Sequence, residues 1–117
     1  SMDILHERSW RLGNGYLEIR DTVSGVGRHR IEQFFHLHPD VYLEKDGCVI
    51  HLSWRESINK FAKFCPDSSA KIYIKSSTYH PEFGKEIPNQ CVVCLIEAEL
   101  PIILKTRIEW GIPEARL

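Results

Sequence analysis

The chain has 117 residues, of which 43% are apolar and 26% charged, with a formal net charge of -1. That size allows one domain with a modest core. The near-neutral balance argues against a dedicated nucleic-acid or heparin binder, which needs a clustered basic face. No stretch approaches the roughly 20 apolar residues of a membrane span, and the start lacks the basic and apolar regions of a signal peptide. Ser1-Met2 reads as a cloning scar, residues 111–117 as a tail, and residues 1–117 as a single domain.

Strand signals run through the chain in order. Residues 7–11 form a short strand closed by Gly13-Asn14-Gly15. Residues 16–23 alternate, with Tyr16, Glu18 and Arg20 opposite Leu17, Ile19 and Asp21. Ser24-Gly25-Val26-Gly27 then turns the chain into a long strand over 28–37, ended by Pro39. Along it Ile31, Gln33, Phe35 and Leu37 share a face suited to a core, while Glu32, Phe34, His36 and His38 share the other. Asp46-Gly47 is a strong hairpin signal between strands at 41–45 and 48–52. Residues 54–64 carry apolar positions compatible with a helix or an irregular strand, and the surrounding strands favour the latter. A strand over 70–76, a loop over 78–89 containing Tyr79, His80, Pro81, Gly84 and Pro88, and strands over 90–100 and 102–110 complete the chain.

About nine short strands at roughly 8–12-residue spacing predict an all-β antiparallel β-sandwich of two sheets. Leu17, Ile19, Phe35, Leu37, Val49, Ile72, Ile74, Val93 and Ile103 are the expected core. Trp10, Tyr16, Phe34, Trp54, Tyr73 and Trp110 cannot all fit that core, and rings on a sheet face commonly stack on sugars or bury against another domain.

Cys91-Val92-Val93-Cys94 has the spacing of a redox or zinc pair. Its β-branched surroundings favour a strand, where positions three apart point to opposite faces and cannot share a metal or a disulfide. The expectation is structural thiols. His36 and His38 could reach one metal from the same strand face. A cupin-like site would add a nearby glutamate and a later third histidine, and neither stands at the required place. Serines 53, 68 and 69 have no glycine elbow around them. Glu32 with His36, and the loop group Tyr79, His80 and Glu82, hold proton-transfer chemistry in principle, but a surface contact and a polar loop explain them as well.

Three segments in order carry a family resemblance: Leu17-Glu18-Ile19-Arg20-Asp21-Thr22-Val23, then Gly27-Arg28-His29-Arg30 with Phe35-His36-Leu37-His38-Pro39, then Ser77-Thr78-Tyr79-His80-Pro81-Glu82-Phe83-Gly84. Over residues 5–109 the chain resembles the C-terminal part of the heparinase II/III-like polysaccharide lyases. The resemblance implies a parent enzyme in which an α-helical toroid joins an antiparallel β-sandwich, with an acidic polysaccharide lying between them. Such enzymes cleave uronic-acid-containing glycans by β-elimination. A base removes the proton beside the carboxylate, a polar group neutralises that carboxylate, and an acid protonates the leaving oxygen.

The departures decide what the chain itself can do. The family's His-x-His-x-Asp and Arg-x-x-His-Asn-Thr-Val segments, which supply metal ligands and a catalytic histidine, are not in this sequence. Pro39 after His36-Leu37-His38 marks that segment as a different strand. Residue by residue, no catalytic group and no metal ligand carries over, so this chain is expected to lack catalysis and a cofactor of its own. Phe34, His36, His38, Tyr79, His80 and Glu82 are the expected substrate or domain-interface residues. The implied partners are the helical toroid, acidic polysaccharide and, through open edges, a second copy of the chain. A typical parent lyase implies a periplasmic or secreted location. Two alternatives remain: a stand-alone carbohydrate-binding or protein-interaction sandwich, and a cupin-like metal-binding protein.

Overall fold

The computed structural model describes residues 3–57, 59–79, 84 and 87–111, with backbone alone at 77–79 and 87–88. Every element in it is a strand. These are β1 (Leu5–Gly13), β2 (Tyr16–His36), β3 (Val41–Asp46), β4 (Val49–Trp54), β5 (Lys60–Cys65), β6 (Lys71–Tyr79) and β7 (Ile87–Trp110). All pairings are antiparallel, in the order β1-β2-β7-β5-β4-β3, with β6 on the same edge of β7 as β5, along the N-terminal half. The all-β antiparallel expectation therefore holds, with seven strands rather than nine in this arrangement.

The difference lies in two long strands. The segments expected as 16–23 and 28–37 are the two halves of β2, and those expected as 90–100 and 102–110 are the two halves of β7. The glycine-rich segment does not reverse the chain. It is a bulge: pairing passes from Val23↔Ile102 to Gly27↔Leu100, with Ser24, Gly25 and Val26 opposed by Pro101 alone. Extra residues on one strand sharpen its bend. Proline supplies no N–H at the same level of the other. Gly27, at φ 90°, takes a conformation that side-chain-bearing residues rarely adopt.

The bend folds a continuous sheet over on itself. Phe35 pairs with Val92, and Phe64 with Ile108. On a straight β7 those partners would lie on the order of 50 Å apart. The two rings nevertheless meet edge to face with centroids 5.0 Å apart. One layer thus holds the C-terminal half of β2, the N-terminal half of β7, and β6. The facing layer holds β1, the N-terminal half of β2, the C-terminal half of β7, β5, β4 and β3. Ile19, Phe35, Leu43, Ile50, Leu52, Phe64, Ile72, Val92, Ile96 and Leu104 fill the space between them.

The tight hairpins follow local chemistry. Asn14-Gly15 joins β1 to β2 and Gly47-Cys48 joins β3 to β4, with positive φ at both glycines. The ambiguous segment over 54–64 is not helical: it comprises the end of β4, a turn at Arg55 and Glu56, and β5; Ile58 lies outside the described residues.

Among the expected core residues, Ile19, Phe35 and Ile72 are buried in the main cluster, and Leu17, Leu37 and Ile74 pack against it. Val49 is half-buried. Val93 is buried but on the opposite face of the sheet, flanked across the ladder by Phe34 and Tyr73. Ile103 is 53% exposed, and Ile102 and Leu104 point inward instead. Three consecutive apolar residues after Pro101 carry no alternation, so their phase is set by the rest of β7. Leu104→Ala is expected to cost about 2–5 kcal/mol of unfolding free energy, whereas Ile103→Thr should stay within about 0.5 kcal/mol of the native chain. Denaturant unfolding of both variants checks the phase.

Candidate functional site

The two layers meet at their open edge around a buried carboxylate. Asp21, on the inward face of β2, is 1% exposed. Arg8 on β1, its cross-strand neighbour, grips it with Nε donating to Oδ1 at 2.6 Å and a terminal nitrogen donating to Oδ2 at 2.9 Å. His6 Nε2 donates to Oδ1 at 2.8 Å. Gln33, from the other half of β2, donates to Oδ2 at 2.7 Å across the fold. The Arg8 guanidinium also lies 5.0 Å from the Phe35 ring centroid, which adds a cation–π contact beside the ion pair.

Burial pushes the Asp21 carboxyl up. Hydrogen bonds from Arg8, His6 and Gln33, with the nearby guanidinium charge, outweigh it and hold the group below its ordinary value. The Arg8 guanidinium is raised, chiefly by its bond to Asp21. Such a pair is costly to break by halves, because the surviving charge stays buried.

Beside this network opens a cleft of about 530 Å³, whose walls include Ile4, His6, Arg8, His29, Arg30, Gln33 and Phe34. Arg8 is already committed to Asp21. Arg30 is exposed, and His29 is held by donating from Nε2 to the Val26 carbonyl at 2.9 Å. Gln33 is 4% exposed, and its Oε1 has no hydrogen-bond partner among the described residues. A buried acceptor without a donor is an energetic liability. The cleft therefore combines the exposed Arg30 guanidinium and Glu32 carboxylate with an apolar wall.

Of the residues singled out from sequence, Phe34 is exposed on the outer sheet face, with the Lys75 ammonium 5.5 Å from its ring centroid, and it also borders the cleft. His36 is exposed and closes β2. His38 lies beyond the strand end, where its Nδ1 accepts from the Asp40 N–H at 3.1 Å. Tyr79 ends β6 opposite Ile87; its side chain, His80 and Glu82 lie outside the described residues. No group of three or more metal-ligating side chains occurs among the described residues.

The cysteine reading is supported at both positions. Cys91 and Cys94 alternate to opposite faces, are fully buried and are free thiols. Burial above all, with neighbouring Cys91 and Asp67, pushes the Cys94 thiol up to about 12. The polar network of His6, Arg8, Asp21 and Gln33 was not singled out. Its signal was present as two polar residues, Asp21 and Gln33, on strand faces otherwise suited to a core.

A second groove of about 410 Å³ lies on the β3–β4 hairpin, where exposed Tyr42 and Trp54 flank Ser53, Arg55, Lys60 and a cross-strand Glu44–His51 pair. Trp54 is held in place by stacking on Phe61, with centroids 4.8 Å apart.

The sequence matches the family model described as heparinase II/III-like, C-terminal, over residues 2–110. The chain belongs to this family. Comparisons with curated proteins and with solved structures return no match. For this heparinase II/III-like C-terminal domain, the Asp21 network joins β1 to both halves of β2 beside the cleft.

Because Asp21 is held below the ordinary carboxylate value, its contribution to stability is present above that value and is lost as pH falls through the folded-state value. Asp21→Asn should therefore be less stable than the native chain near neutrality, with the gap narrowing in acid below about pH 4. Thermal unfolding across that range checks the sign. Arg8→Leu should cost about 3 kcal/mol in urea unfolding at neutral pH, the lower end for a broken buried pair because His6 and Gln33 still hold the carboxylate.

Proposed function

We propose that this domain is the non-catalytic C-terminal part of a heparinase II/III-like polysaccharide lyase, which supports the helical catalytic domain and contacts acidic polysaccharide at the edge cleft. Family membership over residues 2–110 supports the parent assignment. The observation that carries the contact is the edge cleft itself, bordered by exposed Arg30 together with His29 and His6. A uronate carboxylate or sulfate would pair with the Arg30 guanidinium. In β-elimination the base, the carboxylate-neutralising group and the acid would come from the rest of the parent enzyme. This domain would hold the glycan and present a rigid wall.

The outer face bearing Phe34, Tyr73, Lys75 and His36 suits the second task. Phe34 and Tyr73 are 42% and 51% exposed on either side of buried Val93, an apolar strip with the Lys75 ammonium at the Phe34 ring. Docking against the helical domain would cover both rings. His38, Tyr79, His80 and Glu82 remain part of the same proposed border with the substrate or the toroid.

A stand-alone carbohydrate-binding module is the second reading, favoured by the Tyr42 and Trp54 groove, whose exposed rings stand beside hydrogen-bonding groups.

Titration with a uronate-containing oligosaccharide, followed by NMR chemical shifts, separates the readings. Shifts clustered at residues 29–34, weakened about two- to fivefold by Arg30→Ala and reduced by salt, are expected for the edge cleft. Shifts confined to Tyr42 and Trp54, and shared by a neutral oligosaccharide, would favour the module. Unsaturated uronate products released by the purified chain alone would defeat the non-catalytic assignment.

A further inference from the structure

Strand β1 is a nine-residue edge: it pairs with β2 on one side, and no strand pairs with its other side among the described residues. An edge of that length offers a row of outward N–H and C=O groups for another strand. Its side chains are unusually exposed on both faces. Trp10 and Leu12 pair across the ladder with inward-facing Ile19 and Leu17, so they lie on the inner face, yet they are 63% and 73% exposed. The facing layer does not reach over them. Glu7 and Arg11 are exposed on the outer face.

We infer that β1 pairs antiparallel with β1 of a second copy of this chain, about a two-fold axis at Ser9. The strand is self-complementary in that register. Glu7 of each copy falls opposite Arg11 of the other, which places two opposite-charge pairs directly across the new ladder. Sliding the register by two residues one way sets Arg8 against Arg8; sliding it the other way sets Trp10 against Trp10 and removes both charge pairs. Slips by one residue mix the two faces. Charge complementarity therefore selects one alignment and one partner, because a C2 interface must present the same patch twice.

The pairing also extends the edge cleft. An axis normal to the sheet keeps both inner faces on the same side. Trp10 of the second copy then stands opposite Arg8, and its Leu12 opposite His6. The floor that each cleft shows at β1 would continue onto an aromatic and an aliphatic side chain from the other copy. This inference concerns β1 alone and stands independently of the polysaccharide reading.

Sedimentation equilibrium on the native chain and on two charge-reversed variants tests it. The native chain is expected to dimerise. Glu7→Arg and Arg11→Glu, studied separately, each set like charges across the ladder twice and should raise the dissociation constant by about tenfold or more. Mixing the two variants restores opposite charges at both positions, so a heterodimer should form with near-native affinity, which also shows that both variants are folded. A strictly monomeric native chain, single variants that associate as well as the native chain, or a mixture that fails to recover affinity would each overturn the inference.

Discussion

A carboxylate placed inside a protein must be answered with hydrogen bonds, and the groups that answer Asp21 come from both layers of this domain. Arg8 and His6 reach it from β1, and Gln33 reaches it from beyond the bulge of the strand that carries Asp21 itself. Desolvating the charge is tolerable only when all three donors converge. The network thus does more than neutralise a charge. It fixes how far the sheet closes, and it sets β1 at the distance from the second half of β2 that leaves a cleft between them.

The bend that permits this convergence is local in origin. Three residues of β2 oppose a single proline of β7 at the level of Gly25 and Gly27, and the ladder on either side continues without a break in facing. On β7 even-numbered residues point inward both before and after Pro101, from Val92 to Leu104 and Thr106. The polypeptide changes direction while its inward pattern persists, which lets one sheet serve as both walls of its own core.

Much of this was legible in the sequence. Alternation gave the inward face of both halves of β2, including Gln33 and Phe35, and hairpin chemistry gave the reversal at Asn14-Gly15 and the one at Gly47, whose turn is Gly47-Cys48, one residue later than Asp46-Gly47. What alternation does not report is connectivity. A glycine-rich segment reads equally as a reversal or a bulge, because both need positive φ and neither is decided by the residues within it; the partner strand decides. The Ile102-Ile103-Leu104 run had no phase of its own. The polar network escaped for a related reason. Arg8 and His6 sit on an edge strand with ordinary surface composition, and only the fold reveals that they point at a carboxylate. Asp21 and Gln33 were readable as anomalies, polar groups on apolar faces, but their mutual proximity arises from twelve residues of chain doubling back.

The sharing of β2 and β7 between layers has a consequence for how the domain comes apart. In a sandwich built from two separate sheets, one sheet can loosen while the other persists. Here neither layer possesses a complete set of strands of its own, so opening one strips ladder hydrogen bonds and packing from the other. The domain is therefore built to melt as a single cooperative unit, with slow amide exchange at the positions of β2 and β7 that the shared ladder bonds, and fraying at the peripheral strands.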